Sequence, residues 1–145
     1  MSLRPRFRSL VGLECCEVIW DPRSGAMLEI GDRVPLPTSV PNDRLTLGQR
    51  NFAGTHSIFV QCPWQLEQGQ HSLEGWESID SLRGESILAV DFHSPGYDAA
   101  VSWSNDLRLL IWASQKSGGT AYTVRVGVEY WSVRDNEERQ ASSEA

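Results

Sequence analysis

Residues 122–130 read YTVRVGVEY, and this stretch is the strongest indication of a β fold in the chain. Tyrosine and valine occupy every second position from Tyr122 to Tyr130, with polar residues or glycine between them. Successive side chains of a strand point to opposite faces, so this alternation is typical of an antiparallel strand with one buried face. We therefore predict one long strand over residues 122–133 that closes a mainly β fold.

Shorter stretches before this strand indicate the same kind of structure. Asn105 and Asp106 are predicted to form a two-residue hairpin turn that places Val101 opposite Leu110. Residues 31–55 hold three prolines and three glycines, which favours a long loop with at most a short strand. The further strands are predicted over residues 56–62, 87–92, 99–104 and 107–113.

Two segments of the sequence share an order of features that lie 72 positions apart. Ser-Leu-x-Gly occurs at residues 9–12 and again at 81–84, and a valine follows each glycine by six positions. These valines are Val18 and Val90, and an aromatic residue stands two positions after each of them. A turn and a second apolar stretch follow in both segments. This order predicts an internal duplication.

The duplication predicts how the chain is divided. Two related halves cover about 9–64 and 81–133, residues 65–80 connect them, and residues 134–145 form a flexible tail. Each half is too small to bury its own apolar face, so two β-meander halves must pack together as a barrel or a sandwich. We therefore predict a single mainly β domain over residues 1–133 with at most short helices. An α+β fold is the alternative.

Length and charge restrict the classes of function. A chain of 145 residues suits one domain that needs no disulfide or metal to fold. The net charge of −6 repels phosphate groups, which disfavours nucleic acid as a partner. No apolar run reaches the roughly 18 residues of a membrane-spanning helix, and no signal peptide is recognisable. We therefore expect a cytoplasmic protein without a membrane partner.

The three cysteines do not form a recognisable site. Cys15 and Cys16 are adjacent and Cys62 stands alone, which fits neither a disulfide framework nor a zinc site. Neighbouring residues of a strand point to opposite faces, so the adjacent pair would not share a metal ion. We expect buried free thiols, no metal site and no cofactor.

Asp91 and His93 are the best candidate pair of titratable residues. Two positions apart on a predicted strand, they would share a face, and Asp98 lies just beyond the following turn. A carboxylate beside an imidazole can orient a base or begin a metal site. A polar turn between two strands is the simpler interpretation. The common catalytic motifs are missing from the sequence, so no residue is assigned a catalytic role.

Six tryptophans are many for a chain of this length. Tryptophan is enriched at protein interfaces and can line sugar-binding or base-stacking pockets, although most of the six are expected in the core. Trp131 lies on the mixed face of the long predicted strand, and Trp64 follows Pro63 at the end of another strand. We predict that Trp64 and Trp131 are the tryptophans most suited to contact a partner or ligand.

Residues 61–67, QCPWQLE, resemble the C-x-W-R-L-E ending of a strand in small uncharacterised bacterial proteins that contain a duplicated β-rich unit. The stretch 106–111, DLRLLI, is similar to a D-L-x-L-x-F strand of the same group. Some of these proteins resemble immunity proteins encoded beside bacterial toxins. The resemblance spans most of residues 9–133, but this sequence has Gln65 where the group has arginine and lacks a clear glycine after the Asp106 strand. It implies a duplicated β-rich fold and a binding role, without catalytic residues.

Three functions are compatible with these features. The favoured one is a non-catalytic protein-binding module, immunity-like, whose acidic charge suits a basic protein partner. The alternative is a small-molecule-binding β-barrel or enzyme with Asp91 and His93 near its site. The third is a structural or housekeeping β domain whose role the sequence does not encode. Exposed edge strands would also allow a homodimer.

Overall fold

The chain folds into two antiparallel β-sheets that share one core, and the computed structural model describes residues 2–142. About half of the chain is strand and about 15% is helix, so the prediction of a mainly β fold with only short helices is confirmed. Both sheets are open, which decides against a closed barrel. No helix within residues 2–142 has the length and apolarity to cross a membrane.

The first sheet has six strands in the order β1-β2-β3-β9-β10-β11, and the second has five in the order β5-β4-β8-β7-β6. The strands of the first half of the chain are β1 (Cys15–Asp21), β2 (Gly25–Pro35), β3 (Phe52–Val60), β4 (Trp64–Gln68) and β5 (His71–Leu73). Those of the second half are β6 (Ile87–Phe92), β7 (Ala99–Trp103), β8 (Leu107–Ile111), β9 (Thr120–Val126), β10 (Glu129–Arg134) and β11 (Glu137–Ser142). The helical segments are α1 (Leu3–Arg8), α2 (Leu47–Asn51) and two 3₁₀ helices, Trp76–Leu82 and Ala113–Gln115.

The two halves of the chain follow the same path through opposite sheets. In each half, three consecutive strands form a meander in one sheet, and the strands that follow lie in the other sheet, two of them in the first half and three in the second. Thus β4 pairs with β8 of the second half, and β9 pairs with β3 of the first half. The helices are exchanged as well, because α1 packs on β6 and the 3₁₀ helix Trp76–Leu82 packs on β1. Neither half can bury its apolar faces without the other.

A reciprocal set of backbone hydrogen bonds joins the halves where the two strand pathways begin. The N–H of Gly12 donates to Ile87 O at 2.7 Å, and the N–H of Gly84 donates to Cys15 O at 2.8 Å. Gly12 and Gly84 both have positive φ angles, 93° and 86°, which glycine adopts without a steric penalty. The positions in these two bonds are related by the same offset of 72 residues.

The same offset relates buried side chains of the core, and one of these pairs has its first member before residue 9. Phe7 on α1 and Ile79 on the 3₁₀ helix are both fully buried, as are Leu10 and Leu82. Phe7 contacts the rings of Phe92 and Tyr122 at centroid distances of 5.8 Å each. The corresponding segments therefore begin earlier than the predicted residue 9 and include the helical turn before it.

The prediction of one long strand over 122–133 is wrong. Val126 pairs with Glu129, so Gly127 and Val128 form a tight turn and the stretch is the β9–β10 hairpin. Gly127 has a φ of 63°, which suits a hairpin turn with glycine at its first central position. The apolar alternation continues across this turn by coincidence, and it masked the turn in the sequence.

The hairpin places Trp131 in the core, against the prediction that it contacts a partner. Trp131 pairs with Val124 and Val133 pairs with Tyr122, so all four side chains face inward. Only 3% of Trp131 is exposed. A two-residue turn returns the chain so that opposite residues share a face, whereas a continuous strand would have placed Trp131 on the other one.

Residues 134–142 do not form the predicted tail. β11 pairs with β10 along its length, and the Glu138 carboxylate accepts hydrogen bonds from the N–H of Leu3 and the hydroxyl of Tyr97. Charged side chains on β11 suit an edge strand, because they oppose pairing with other chains. The polar sequence of this segment is therefore that of an edge strand instead of a disordered tail. Residues 143–145 of the predicted tail lie outside the described residues.

Three smaller predictions are corrected as well. The predicted connection 65–80 contains β4, β5 and most of a 3₁₀ helix, and the predicted loop 31–55 contains the end of β2, α2 and the start of β3. The turn at Asn105 and Asp106 exists, but the loop has three residues because Ser104 belongs to it. Val101 therefore pairs with Leu109 instead of Leu110, and both side chains are buried.

We expect Trp131→Ala to lower the free energy of unfolding by about 3–5 kcal/mol, because it leaves a large cavity in the core. Urea unfolding followed by far-UV circular dichroism measures this loss. Val128→Ala, which shortens a side chain that is 71% exposed at the adjacent turn, serves as the control and should change little. A near-neutral Trp131→Ala would contradict the core position.

Candidate functional site

An open cleft of about 1080 Å³ lies at the end of the second sheet. Three tryptophans line it, and we call it the tryptophan cleft. Trp64 begins β4, Trp76 begins the 3₁₀ helix, and Trp112 follows β8. The backbone N–H of Trp112 donates to Pro63 O at 2.9 Å, which holds the segment after β8 beside the segment before β4. Polar side chains complete the lining, among them Arg23, Gln61, Glu74, Gln115 and Lys116.

Neighbouring rings hold two of these tryptophans in place. Trp76 stacks on Trp20 with a centroid distance of 6.1 Å and meets Trp64 edge-on at 5.3 Å. The indole N–H of Trp20 donates to the Asp80 carboxylate at 3.3 Å. Aromatic pairs in these geometries are favourable beyond their buried area, so the ring positions are set before any ligand arrives.

The indole N–H groups of the cleft are free to bind. Among residues 2–142, none of the three donates to a protein acceptor, and none is fully shielded from solvent. Trp112 contacts the core least, whereas Trp64 and Trp76 both pack against it. The cleft therefore combines large apolar ring surfaces with unused hydrogen-bond donors, which is the chemistry expected of a recognition site.

Asp91 and His93 lie together at a second, smaller depression of about 380 Å³. Its floor contains Ala100 and Leu110 on the outer face of the second sheet, and Arg108 and Trp112 stand at its border. Within the described residues, no hydrogen bond or ion pair joins Asp91 to His93. Both side chains are exposed and open to solvent.

Asp98 lies at the same depression but is already engaged. Its carboxylate accepts hydrogen bonds from the N–H and the hydroxyl of Ser114, both at 2.7 Å, and its C=O accepts the N–H of His93. Asp98 therefore orders the turn that presents His93. Arg108 on β8 pairs with Glu67 on β4 at 3.7 Å, so within residues 2–142 the unpaired titratable groups of the depression are Asp91 and His93.

Two glutamates on the outer face of the first sheet form a third group that the sequence reasoning missed. Glu17 on β1 and Glu29 on β2 stand directly opposite each other. Burial raises the pKa of Glu29 above its ordinary value, although the N–H of Gly54, at 2.6 Å, and Arg125 act against it. Burial also acts to raise the pKa of Glu17, but the N–H of Val18 and the Arg83 guanidinium outweigh burial and hold that pKa low.

These glutamates serve the fold. The Glu29 carboxylate bridges β2 to β3 through Gly54, and Arg125 on β9 donates to the C=O groups of Gly54 and Thr55. Glu17 pairs with Arg83, which also donates to Val18 O and so covers a free edge of β1. Only the strand register brings the two glutamates together, and no spacing in the sequence reveals it.

The predicted buried free thiols are confirmed for Cys15 and Cys62, whereas Cys16 is only half-buried. Burial raises the pKa values of Cys15 and Cys62 to about 12, so both are neutral thiols at physiological pH. Cys16 is half-buried, and burial followed by the Glu29 charge also raises its pKa. Within residues 2–142, no three histidine, cysteine or carboxylate side chains lie close enough together to hold a metal ion.

The four predicted site residues therefore separate. Trp64 lies in the tryptophan cleft, Asp91 and His93 lie at the smaller depression, and Trp131 belongs to the core. Trp112 borders both concavities, so the two are adjacent. The sequence patterns did not single out Trp76 and Trp112, since nothing local indicates that the connection after β5 or the end of β8 borders a cleft.

Glu17→Gln should lower stability at neutral pH by up to about 1 kcal/mol, because it removes the charge that Arg83 pairs. A glutamate with a lowered folded pKa stabilises above its ordinary value of 4.5 and loses that effect as the pH falls. The gap between wild type and Glu17→Gln should therefore narrow as urea unfolding is repeated from pH 7 down to about pH 3.

The exposed pair Glu137–Arg139 provides the control for this measurement. Glu137→Gln should produce little change at any pH, because both partners are mostly in solvent. A Glu17→Gln effect that stayed constant over the pH range would show that its charge does not contribute.

Comparison with models of protein families, with curated proteins and with solved structures found no match to this chain. The comparisons therefore carry no family assignment. The geometry of the cleft and the depression is the basis for assigning a function.

Proposed function

We propose that this chain is a non-catalytic protein-binding module and that the tryptophan cleft is its binding site. The observation that carries this proposal is the convergence of Trp64, Trp76 and Trp112 on one open cleft with their indole N–H groups unused. Tryptophan is the residue most enriched at the centres of protein interfaces, where its ring fills a pocket and its N–H finds an acceptor.

A segment of a partner protein provides hydrogen-bond acceptors for the indole N–H groups and apolar side chains for the rings. Backbone carbonyl groups accept hydrogen bonds from indole N–H groups, and apolar side chains pack on the rings. The amide side chains of Gln61 and Gln115 add donors and acceptors at the border. Because stacking holds Trp76 and Trp64 in place, binding costs little ordering of these anchors.

The chemistry of the cleft favours binding over catalysis. Its charged lining residues are Arg23, Glu74 and Lys116, and the thiol in its lining is that of Cys62. With a pKa raised by burial to about 12, the Cys62 thiol is protonated and weakly nucleophilic at neutral pH. The cleft therefore offers surfaces and hydrogen bonds instead of an activated group.

The charge of the whole molecule supports a basic partner. A net charge of −6 attracts a cationic protein over distances of about a Debye length, while the charged side chains that line the cleft sum to +1. In this proposal the overall field guides the approach and the tryptophans provide the contact. An immunity-like role, in which the partner is a basic toxin, is the specific form of the proposal.

We expect Trp112→Ala to abolish capture of the partner, because it removes an anchor that packs little against the core. Wild-type and variant baits would be incubated at low salt with lysate of the source organism, and bound proteins identified by mass spectrometry. A protein captured by wild type alone and released by raised salt would then be purified and titrated by calorimetry. We expect at least a tenfold weaker Kd for Trp112→Ala.

Tyr130→Ala is the matched control, since it removes a half-exposed aromatic ring from β10 in the other sheet. It should bind like wild type. Equal capture by the Trp112→Ala bait, or no partner at all at low salt, would count against the proposal.

A second candidate function is supported by the depression at Asp91 and His93. An anion, a cation and an imidazole border an apolar floor of Ala100 and Leu110 there, which suits a small ligand that carries charge at one end. The volume of about 380 Å³ fits a metabolite-sized molecule. This version of the function is a small-molecule site next to the tryptophan cleft.

A thermal-shift screen with charged metabolites tests this candidate. A genuine ligand raises the Tm of wild type by mass action, and the increase should disappear in His93→Ala and Asp91→Asn. His71→Ala, which alters an exposed histidine on β5, should retain the full shift. A ligand shift that survives both His93→Ala and Asp91→Asn would eliminate this site.

A further inference from the structure

The first half of the chain contains an extension that the second half lacks. β2 and β3 run beyond their neighbours, and residues 32–53 form a projection that we call the arm. At the corresponding place in the second half, β7 and β8 are joined by three residues. Because the second meander closes without such an extension, the arm is not needed to form the sheets. Long connections that a fold does not require are often functional.

The arm is an ordered structure. α2 begins with a capping box, in which Thr46 and Gln49 satisfy each other's backbone N–H groups. The N–H of Val40 donates to Arg50 O at 2.8 Å, and the Arg50 guanidinium donates to Val40 O at 3.0 Å. The Gln49 amide donates to Val18 O, which attaches the arm to β1.

The arm exposes large apolar side chains to solvent. Leu47 is 73% exposed and Phe52 is 40% exposed, and Val34 and Val40 are also exposed. These are four of the seven large hydrophobic residues that are exposed within residues 2–142. Register pairs Pro35 with Phe52, so the apolar residues of both strands lie at the same end of the molecule. A concentration of apolar residues in an ordered projection is typical of an interaction surface.

The charge of the arm is opposite to that of the rest of the chain. Arg33, Arg44 and Arg50 outnumber the two aspartates of the segment, so the arm carries +1 and the remaining residues carry −7. The Arg33 guanidinium lies over the Phe52 ring at 5.0 Å, which places a cation beside the apolar surface. Arginine with aromatic and aliphatic residues is the composition enriched in protein interfaces.

We propose that the arm is a self-association surface that docks on the acidic two-sheet body of a second copy of this chain. The occupant follows from charge complementarity, because a cationic, apolar arm and a strongly acidic body belong to the same molecule. Each copy offers one arm and one body, so a two-fold arrangement uses both and closes as a dimer. This inference is independent of the tryptophan cleft.

Sedimentation velocity on the full chain tests the proposal with Leu47→Glu. This substitution puts a carboxylate on a side chain that is mostly in solvent, so the fold is retained. It removes an apolar contact and adds a charge that repels the acidic body. We expect wild type to dimerise at low salt, with at least a tenfold weaker dimer in Leu47→Glu and a weaker dimer in wild type at about 0.5 M salt.

Val128→Glu is the matched control, because Val128 is equally exposed but lies in the β9–β10 turn. It introduces the same charge and should leave the dimer unchanged. A wild-type monomer at every concentration tested would overturn the proposal, and so would equal weakening by Leu47→Glu and Val128→Glu. Binding of a monomeric wild type to vesicles of anionic lipid would overturn it in favour of a membrane surface.

Discussion

The structure depends on the exchange of strands and helices between the two halves of the chain. Each half forms a three-stranded meander whose apolar face needs cover, and that cover comes from the helical turn of the other half and from the opposite sheet. The reciprocal bonds of Gly12 with Ile87 and of Gly84 with Cys15 mark the point where the halves meet. Because each sheet contains strands from both halves, the core forms only when the whole chain is assembled.

This exchange also determines where binding surfaces arise. The chain must cross between the sheets before β4 and after β8, and the tryptophan cleft lies at these crossings. Segments that cross between sheets cannot use their side chains for regular sheet packing, so rings such as Trp112 remain accessible. The smaller depression at Asp91 and His93 lies beside the same crossing, on the outer face of the second sheet. Both candidate binding surfaces thus lie at the segments where the chain crosses between the sheets.

The corresponding positions of the two halves show how the same framework was put to different uses. Trp20 contacts Trp76 in one half, whereas the equivalent Phe92 contacts Phe7 and lies beneath Arg4. The Trp20–Trp76 contact lies next to the tryptophan cleft. At the equivalent place beside Phe92, the Arg4 guanidinium donates hydrogen bonds to Pro95 O and Gly96 O. The arm likewise occurs in only one half. Differences between the halves therefore coincide with the surfaces for which we propose a function.

The mainly β class, the internal order of features and the burial of Cys15 and Cys62 could be predicted from the sequence, because alternation and spacing are local properties. Trp64, Asp91 and His93, which the sequence singles out as candidates, lie at concave surfaces. The burial of Trp131 depends on the tertiary fold, since its face is set by a single turn at Gly127 within an unbroken apolar alternation. The tryptophan cleft, the pairing of Glu17 with Glu29 and the exposure of the arm arise from contacts between distant segments, and no local pattern encodes which segments meet.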